Sequence, residues 1–354
     1  GPHQGIQPGS EWMPDFTIRQ EAATLWYHPH AFGKTGEHVY QGLAGLFIIE
    51  DSTSRALDIP KTYGDDDIPI ILQDRRFASD GSFAYVRSMA DVMHGVIGNV
   101  MLVNGAVQPV LRTNRDLLRL RILNGSNAGL YRISIKNRPL LFIASDGGFL
   151  EEPVEMERLV LTAGERGEVL LDIHDLDAGE ELYLEVEEFN GQVFQAMKII
   201  KTSGKTKPPV VPKKLNSIRR FKEFEADKVR RFNLETRGMG VFSINGKQMD
   251  MSRIDERVFL GNTEIWDITN GGMGMMNLPH SFHVHDVQFQ VLSRDGKLPP
   301  PHERGWKDTV LVWPGERVRI ISRFENFTGI YMYHCHILEH EDAGMMGQFE
   351  VVPN

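Results

Sequence analysis

Short runs of β-branched and aliphatic residues set the pattern of this chain. Leu46-Phe-Ile-Ile49, Ile68-Pro-Ile-Ile-Leu72, Leu118-Arg-Leu-Arg-Ile122, Val169-Leu-Leu-Asp-Ile173, Val318-Arg-Ile-Ile-Ser322 and Gln348-Phe-Glu-Val-Val352 recur along its length. Several alternate apolar and polar positions, the period-two signature of a strand buried on one face. Turn-forming pairs punctuate them: Asn104-Gly105, Asn124-Gly125, Asp146-Gly-Gly148, Asn245-Gly246, Asp295-Gly296 and Pro314-Gly315. Helical periodicity is scarce. Many short strands separated by such turns predict an all-β chain built from sandwich or barrel domains.

The Pro- and Lys-rich stretch Thr202-Ser-Gly-Lys-Thr-Lys-Pro-Pro-Val-Val-Pro-Lys-Lys214 has no apolar period and reads as a linker. A weaker boundary runs from Glu50-Asp-Ser-Thr-Ser54 to the acidic Gly64-Asp-Asp-Asp67. A repeat is visible on either side of the linker. Val103-Asn-Gly105 with Leu118-Arg-Leu-Arg-Ile-Leu-Asn124 resembles Ile244-Asn-Gly246 with Glu264-Ile-Trp-Asp-Ile-Thr-Asn270, and Thr162-Ala-Gly-Glu-Arg166 resembles Trp313-Pro-Gly-Glu-Arg317. Two similar β domains are expected from these ordered signals. The first fifty-odd residues are too few for a sandwich of about 100 residues, and read as the second half of one.

At about 150 residues per domain, 354 residues allow two to three domains. The net charge of −9, with no Lys/Arg block, argues against a nucleic-acid partner. No apolar run approaches the roughly 18 residues of a membrane span. The one cysteine, Cys335, cannot form an internal disulfide, and it stands between two histidines.

Of the 13 histidines, eight fall in three clusters: His28 and His30; His280, His283 and His285; His334, His336 and His340. Along a strand, residues i and i+2 share a face. His28/His30, His283/His285 and His334/His336 can therefore each present two imidazoles to one side, a donor set suited to copper, zinc, iron or nickel. Cys335 points to the opposite face on the same logic, where His280, His340 and Met345 are available partners. Two His, one Cys and a weak Met make the ligand set of a blue-copper electron-transfer site. The chain from the Cys335 sulfur to the flanking imidazoles would connect that site to a second cluster.

His280-Ser-Phe-His-Val-His285 and His334-Cys-His-Ile-Leu-Glu-His-Glu-Asp-Ala-Gly-Met345 resemble the two C-terminal copper motifs of the multicopper oxidases, the family of laccases, bilirubin oxidases and copper-efflux oxidases. Trp26-Tyr-His-Pro-His30 resembles its second N-terminal motif, followed by Gly42-Leu-Ala-Gly-Leu-Phe-Ile-Ile-Glu50. The resemblance implies cupredoxin-like Greek-key sandwiches in three domains: residues 1–55 the C-terminal half of domain 1, 56–202 domain 2, 203–225 a linker, and 226–354 domain 3 with the type 1 copper. It implies four coppers in a complete molecule. The type 1 copper would take His280, Cys335, His340 and Met345, with Met346 as a rival axial residue. His283 would ligate the type 2 copper. The type 3 pair would take His28 and His334 on one copper and His30, His285 and His336 on the other.

The family has a further His-x-His motif upstream, giving one ligand to the type 2 copper and one to the type 3 pair. The only histidine here before His28 is His3. Three explanations stand: a nicked oxidase whose N-terminal fragment remains bound and supplies the two histidines, a truncated or incomplete sequence, or disordered first residues. The nicked and disordered cases are favoured, because half a sandwich exposes strand edges.

The implied reaction couples one-electron oxidation of a small reducing substrate to four-electron reduction of O2 to water. Cys335 carries the electrons, and Glu341, next to His340, is the expected proton donor. Electrons would enter at His280, whose outer edge faces solvent in this family. Phenols and aromatic amines are the expected substrates, with Asp286 and Asp308 as candidate polar contacts. Cuprous ion is the alternative, suggested by Gly271-Gly-Met-Gly-Met-Met-Asn277 and Met239. Competing classes are a blue electron carrier without oxygen chemistry, a copper-free relative of the cell-division type, and a copper nitrite reductase. The resemblance favours an extracytoplasmic location, although no signal peptide is visible at residue 1.

Overall fold

The computed structural model describes residues 5–238, 240–271 and 278–354. His3, Met239 and the Gly-Met segment 272–277 lie outside the described residues. A two-stranded antiparallel ribbon comes first, β1 (Ala23–Tyr27) and β2 (Gly45–Ile49), with the short helix α1 (Thr35–Tyr40) between them and α2 (Ser52–Ala56) after them. The middle of the chain holds β3 (Asp67–Arg75), α3 (Met89–His94), β4 (Val100–Val103), β5 (Ala106–Val107), β6 (Val110–Thr113), β7 (Leu117–Asn124) and β8 (Tyr131–Ile135). It continues with β9 (Leu140–Ser145), β10 (Gly148–Met156), β11 (Leu159–Leu161), β12 (Arg166–Asp172), β13 (Glu181–Glu188) and β14 (Val193–Lys201). The last part has β15 (Lys228–Arg237), β16 (Val241–Ile244), β17 (Glu256–Phe259), β18 (Thr263–Asn270), β19 (His280–Val284) and β20 (Phe289–Arg294). It closes with β21 (Thr309–Val312), β22 (Arg317–Arg323), β23 (Gly329–Cys335), α4 (Leu338–Asp342) and β24 (Met346–Val352).

The strand order explains the repeat in the sequence. The middle sheets run β10-β9-β12-β7-β3-β4-β5 and β11-β8-β13-β14-β6; the last sheets run β20-β22-β18-β15-β16 and β21-β19-β23-β24-β17. Apart from β10 and β5, each strand of one pair has a counterpart in the other. The parallel contacts also correspond: β3 with β7 and β15 with β18, β6 with β14 and β17 with β24. Each pair packs face to face on one apolar core. Ile70, Leu120, Ile122 and Val169 meet Ile133, Leu184 and Ile199 in the middle sandwich. Phe232, Trp266 and Ile320 meet Phe282, Tyr333 and Phe349 in the last.

Each of the six hydrophobic runs lies within a strand, save that β12 ends at Asp172, one residue before Ile173. Asn104-Gly105, Asn245-Gly246 and Asp295-Gly296 all have positive φ at both residues, the tight hairpin turn that their chemistry predicts. Asn124-Gly125 differs. Asn124 ends β7 and its side-chain amide donates to the carbonyls of Gly129 and Leu161, so it fastens a loop instead of turning a hairpin.

Leu118-Arg-Leu-Arg-Ile122 also departs from the half-buried expectation. Arg119 and Arg121 are both buried, because β1 covers this face. Arg121 donates to both carboxylate oxygens of Asp67 at 2.7 Å and to the Thr24 hydroxyl at 2.8 Å. Glu168 accepts from Thr24 at 2.7 Å and from Arg119 Nε at 2.7 Å. The ribbon is thus fastened to the middle sandwich by a buried charge network, which alternation along a single strand cannot reveal.

Candidate metal centre

The pairing of β19 with β23 builds the site. Phe282 stands opposite Cys335, and His283 opposite His334. Directly opposed residues of an antiparallel pair share a face. Cys335, Phe282 and His280 therefore look into the apolar core of the last sandwich, while His283, His285 and His334 look out of it.

On the core side, the Cys335 sulfur lies 3.5 Å from His280 Nδ1 and 3.8 Å from His340 Nδ1, and all three residues are buried. His340 comes from α4, directly after the strand. Its Nε2–H donates to the carbonyl of Met93 in α3 at 3.0 Å, and its ring stacks on Phe242 with centroids 3.9 Å apart. A carbonyl only accepts, so His340 Nδ1 is left bare toward the sulfur. Met345 is buried in the same apolar cluster as Cys335, whose N–H donates to the Met345 carbonyl at 3.0 Å. Met346 belongs to β24, paired opposite His334. His280 departs from expectation. It is 1% exposed, and its Nε2 lies 3.3 Å from the hydroxyl of half-buried Thr236.

On the other side, six imidazoles face one another. His334 Nε2 lies 3.3 Å from His30 Nε2 and 3.2 Å from His285 Nε2. His28 sits 5.5 Å from His336, centroid to centroid, and Trp26 packs on both rings. His283 lies 5.2 Å from His334 and 5.5 Å from His336 by centroids. This arrangement corrects one expectation. His334 groups with His30 and His285, not with His28, because the register sets it across from β19 at ring distances of 5.2 and 5.3 Å from His283 and His285.

Backbone carbonyls sort the tautomers here too, in the opposite sense. The Nδ1–H of His28 donates to Pro29 O at 2.8 Å, that of His283 to Asp308 O at 2.9 Å, and that of His334 to Cys335 O at 3.0 Å. Each is left with a bare Nε2. The single lone pair on His334 Nε2 cannot satisfy two neighbouring ring nitrogens at once. A cation shared by the three Nε2 atoms would give each of them a partner at once. His30 Nδ1 and His336 Nδ1 are also buried without a hydrogen-bond partner.

Electrostatics agree with a metal role. Burial lowers His28, His30 and His340 to about 4, and takes His280, His285 and His336 well below the usual imidazole range. All six are neutral at neutral pH, the form that binds metals. Burial pushes the Cys335 thiol up to about 12, so only a bound cation would make it a thiolate ligand. Glu341 is fully buried, with Oε2 3.1 Å from His334 Nδ1 and Oε1 3.6 Å from His30 Nδ1. Burial favours its neutral form, but His334 and His30 outweigh that and hold it well below the usual carboxylate range. For His334, Glu341 outweighs the lowering by burial and raises it.

A cleft of about 990 Å³ opens onto His28, His283, His285 and His336. Half-buried Asp286 lines it, and burial raises its carboxyl to about 7. Asp308 was expected at a substrate. It lines the same cleft, and Arg166 donates to both its oxygens at 2.7 and 2.6 Å. Arg166 and the turn before it were legible only as a repeat, and nothing in the sequence placed them at the histidines.

Three multicopper oxidase family models match residues 1–54, 80–193 and 214–354. The chain is 40% identical over 352 residues to the multicopper oxidase mco of Staphylococcus haemolyticus, covering 99% of itself and 73% of that protein. The chain belongs to the multicopper oxidase family. Membership makes it a copper-binding oxidoreductase that uses O2, and the cupredoxin-like fold follows. A solved structure, the laccase-like multicopper oxidase CueO from Ochrobactrum sp., with oxidase activity towards lignin model compounds, superposes with a TM-score of 0.90 at 38% identity, over 99% of this chain and 82% of that one. The cell division protein FtsP of Photorhabdus laumondii is 36% identical over 375 residues, covering 98% of this chain and 74% of that protein. No described helix is long and apolar enough to cross a membrane.

Proposed function

We propose that the protein is a laccase-type oxidase, taking single electrons from phenols or aromatic amines and passing them to O2. One observation carries this reading. Cys335 joins a buried Cys-His-His group on one face of β23 to a histidine cluster on the other, through its own backbone bonds to His334 and His336. His280, Cys335, His340 and, as a weak fourth donor, Met345 would hold the type 1 copper. His30, His285 and His334 would hold one copper of the type 3 pair, His28 and His336 the other, and His283 the type 2 copper. Two further donors would come from an N-terminal segment of the same protein, bound beside the two-stranded ribbon. The coppers supply one-electron storage and the equivalents that turn O2 into water.

The chain's own groups do the rest. Apolar burial of Cys335 and Met345 excludes water from the electron-entry centre. Thr236 covers the outer nitrogen of His280, so a reductant approaches across that residue. Glu341, an ionised carboxylate between His30 and His334, would pass protons toward the cluster by accepting and returning them in turn. The likeness to the Staphylococcus and Ochrobactrum oxidases supports an extracytoplasmic location.

The test is oxygen uptake by copper-loaded protein with a methoxyphenol. The reading expects one O2 consumed for every four phenol equivalents, and no uptake without copper. A copper-replete protein that takes up no oxygen would favour the electron-carrier or cell-division reading. Uptake with cuprous ion alone would favour metal oxidation.

A further inference from the structure

The turn Thr162-Ala-Gly-Glu-Arg166 and its repeat Trp313-Pro-Gly-Glu-Arg317 occupy the same place in the two sandwiches, between β11 and β12 and between β21 and β22. They do different things. Arg317 has a side chain 53% exposed and pairs with Asp267 of its own sheet. Arg166 is 2% exposed and lies against the histidine cluster. The Ser281 hydroxyl, next to His280 in β19, donates to the Ala163 carbonyl at 3.1 Å, which docks the first turn on the strand that bears His283 and leads into His285.

Every N–H of the Arg166 guanidinium is used. Nε donates to Thr24 O in β1 at 3.0 Å. Nη1 donates to Gly164 O at 3.1 Å and Asp308 Oδ1 at 2.7 Å; Nη2 donates to Asp146 O at 3.0 Å and Asp308 Oδ2 at 2.6 Å. One side chain thus ties together the ribbon, the middle sandwich and the residue before β21. Asp308 then meets His283 directly. Its carbonyl accepts the Nδ1–H at 2.9 Å, and its Oδ1 takes the Thr309 hydroxyl proton at 2.8 Å while that hydroxyl oxygen lies 3.0 Å from the same Nδ1. A fork of two parallel bonds fixes the carboxylate in angle as well as position.

We propose that Arg166 is a positioning residue for the metal cluster: by clamping Asp308 across the junction of the two sandwiches, it fixes the tautomer and direction of His283 and so sets how tightly the outer cluster holds copper. This rests on the copper reading of the site. It assigns a role to the middle sandwich, which contributes no donor of its own. Partners at one remove from a ligand are typically worth 10- to 100-fold in metal affinity. Lysine at 166 would keep the charge and lose the fork.

The test uses the full chain with Arg166→Lys and Asp308→Asn, titrated with copper. Absorption of the Cys335 copper reports an intact fold, and EPR reports the copper that lacks the blue band. The clamp predicts an unchanged blue band in both variants, with the non-blue copper bound about tenfold or more weakly and its hyperfine pattern altered. Wild-type affinity and spectrum in Arg166→Lys would overturn it. If Arg166→Lys loses the blue band as well, Asp308→Asn decides in the same terms. A wild-type chain that binds copper only at Cys335 contradicts the copper reading of the cluster instead. The clamp is then read in metal-free protein from the ring 15N shifts of His283: one Nδ1–H tautomer in wild type and a mixture in Arg166→Lys support it, and identical populations contradict it.

Discussion

Gly164 lies so close to His336 that a Cβ built on it would stand 2.8 Å from two atoms of the imidazole ring. Its φ of +87° adds a second reason for glycine. Gly164→Ala must therefore push the ring or the turn. The expected outcome is a loss of copper from the outer cluster, with the blue Cys335 site retained and a stability cost of about 1–3 kcal/mol. Copper quantitation together with the visible spectrum checks it; full copper content at both sites would show that the turn yields without moving the ring.

Cys335→Ser separates the two sites. The sulfur is the blue centre's anionic donor, and its backbone is the link between them. The variant is expected to lose the blue band entirely, keep copper at the outer histidines, and fall to background oxygen uptake with phenols. Absorption, metal analysis and an oxygen electrode read the three effects.

Glu341→Gln removes the buried acid between His30 and His334 but keeps its shape. The blue band should persist, while reoxidation of the reduced protein by O2 slows on the order of 100-fold, the usual worth of a positioned acid–base group. Rapid mixing of reduced protein with oxygen measures this rate. A wild-type rate would remove Glu341 from the proton path.

Glu168 fastens the ribbon to the middle sandwich. Burial works against its charged form, but Arg119 and Arg121 outweigh that and lower it below the usual range. The sign follows from linkage: stability from this group is fully present above about pH 4.5, its unperturbed value, and is lost as pH falls through the depressed native value. Glu168→Gln leaves two buried guanidiniums short of a partner, at a cost of roughly 3 kcal/mol or more. Urea unfolding at neutral pH should show the loss, and the gap from wild type should narrow in acid.

The site was far more legible in the sequence than its support. Spacing of two along a strand was enough to place His334 and His336 on one side and Cys335 on the other, because strand periodicity is local. The partition of the outer histidines was not legible. It depends on the register of β19 against β23, which no single strand encodes. The cover over His280 by Thr236 and the Met93 carbonyl behind His340 come from distant parts of the chain. The Leu118–Ile122 strand misleads for a similar reason, since its arginines are buried under β1, which lies more than 90 residues away in sequence. Asp308 was visible as a carboxylate, but its pairing with Arg166 and its contact with His283 were not, because they join parts of the chain up to 142 residues apart.

The central claim is that one strand carries two copper sites joined through Cys335. EPR with copper quantitation on the purified, copper-loaded chain tests it most directly. The account predicts more than one copper per chain, with a blue Cys335 signal and a separate contribution from copper at the outer histidines that survives Cys335→Ser. A single copper per chain, or copper that gives no blue signal at all, would contradict it.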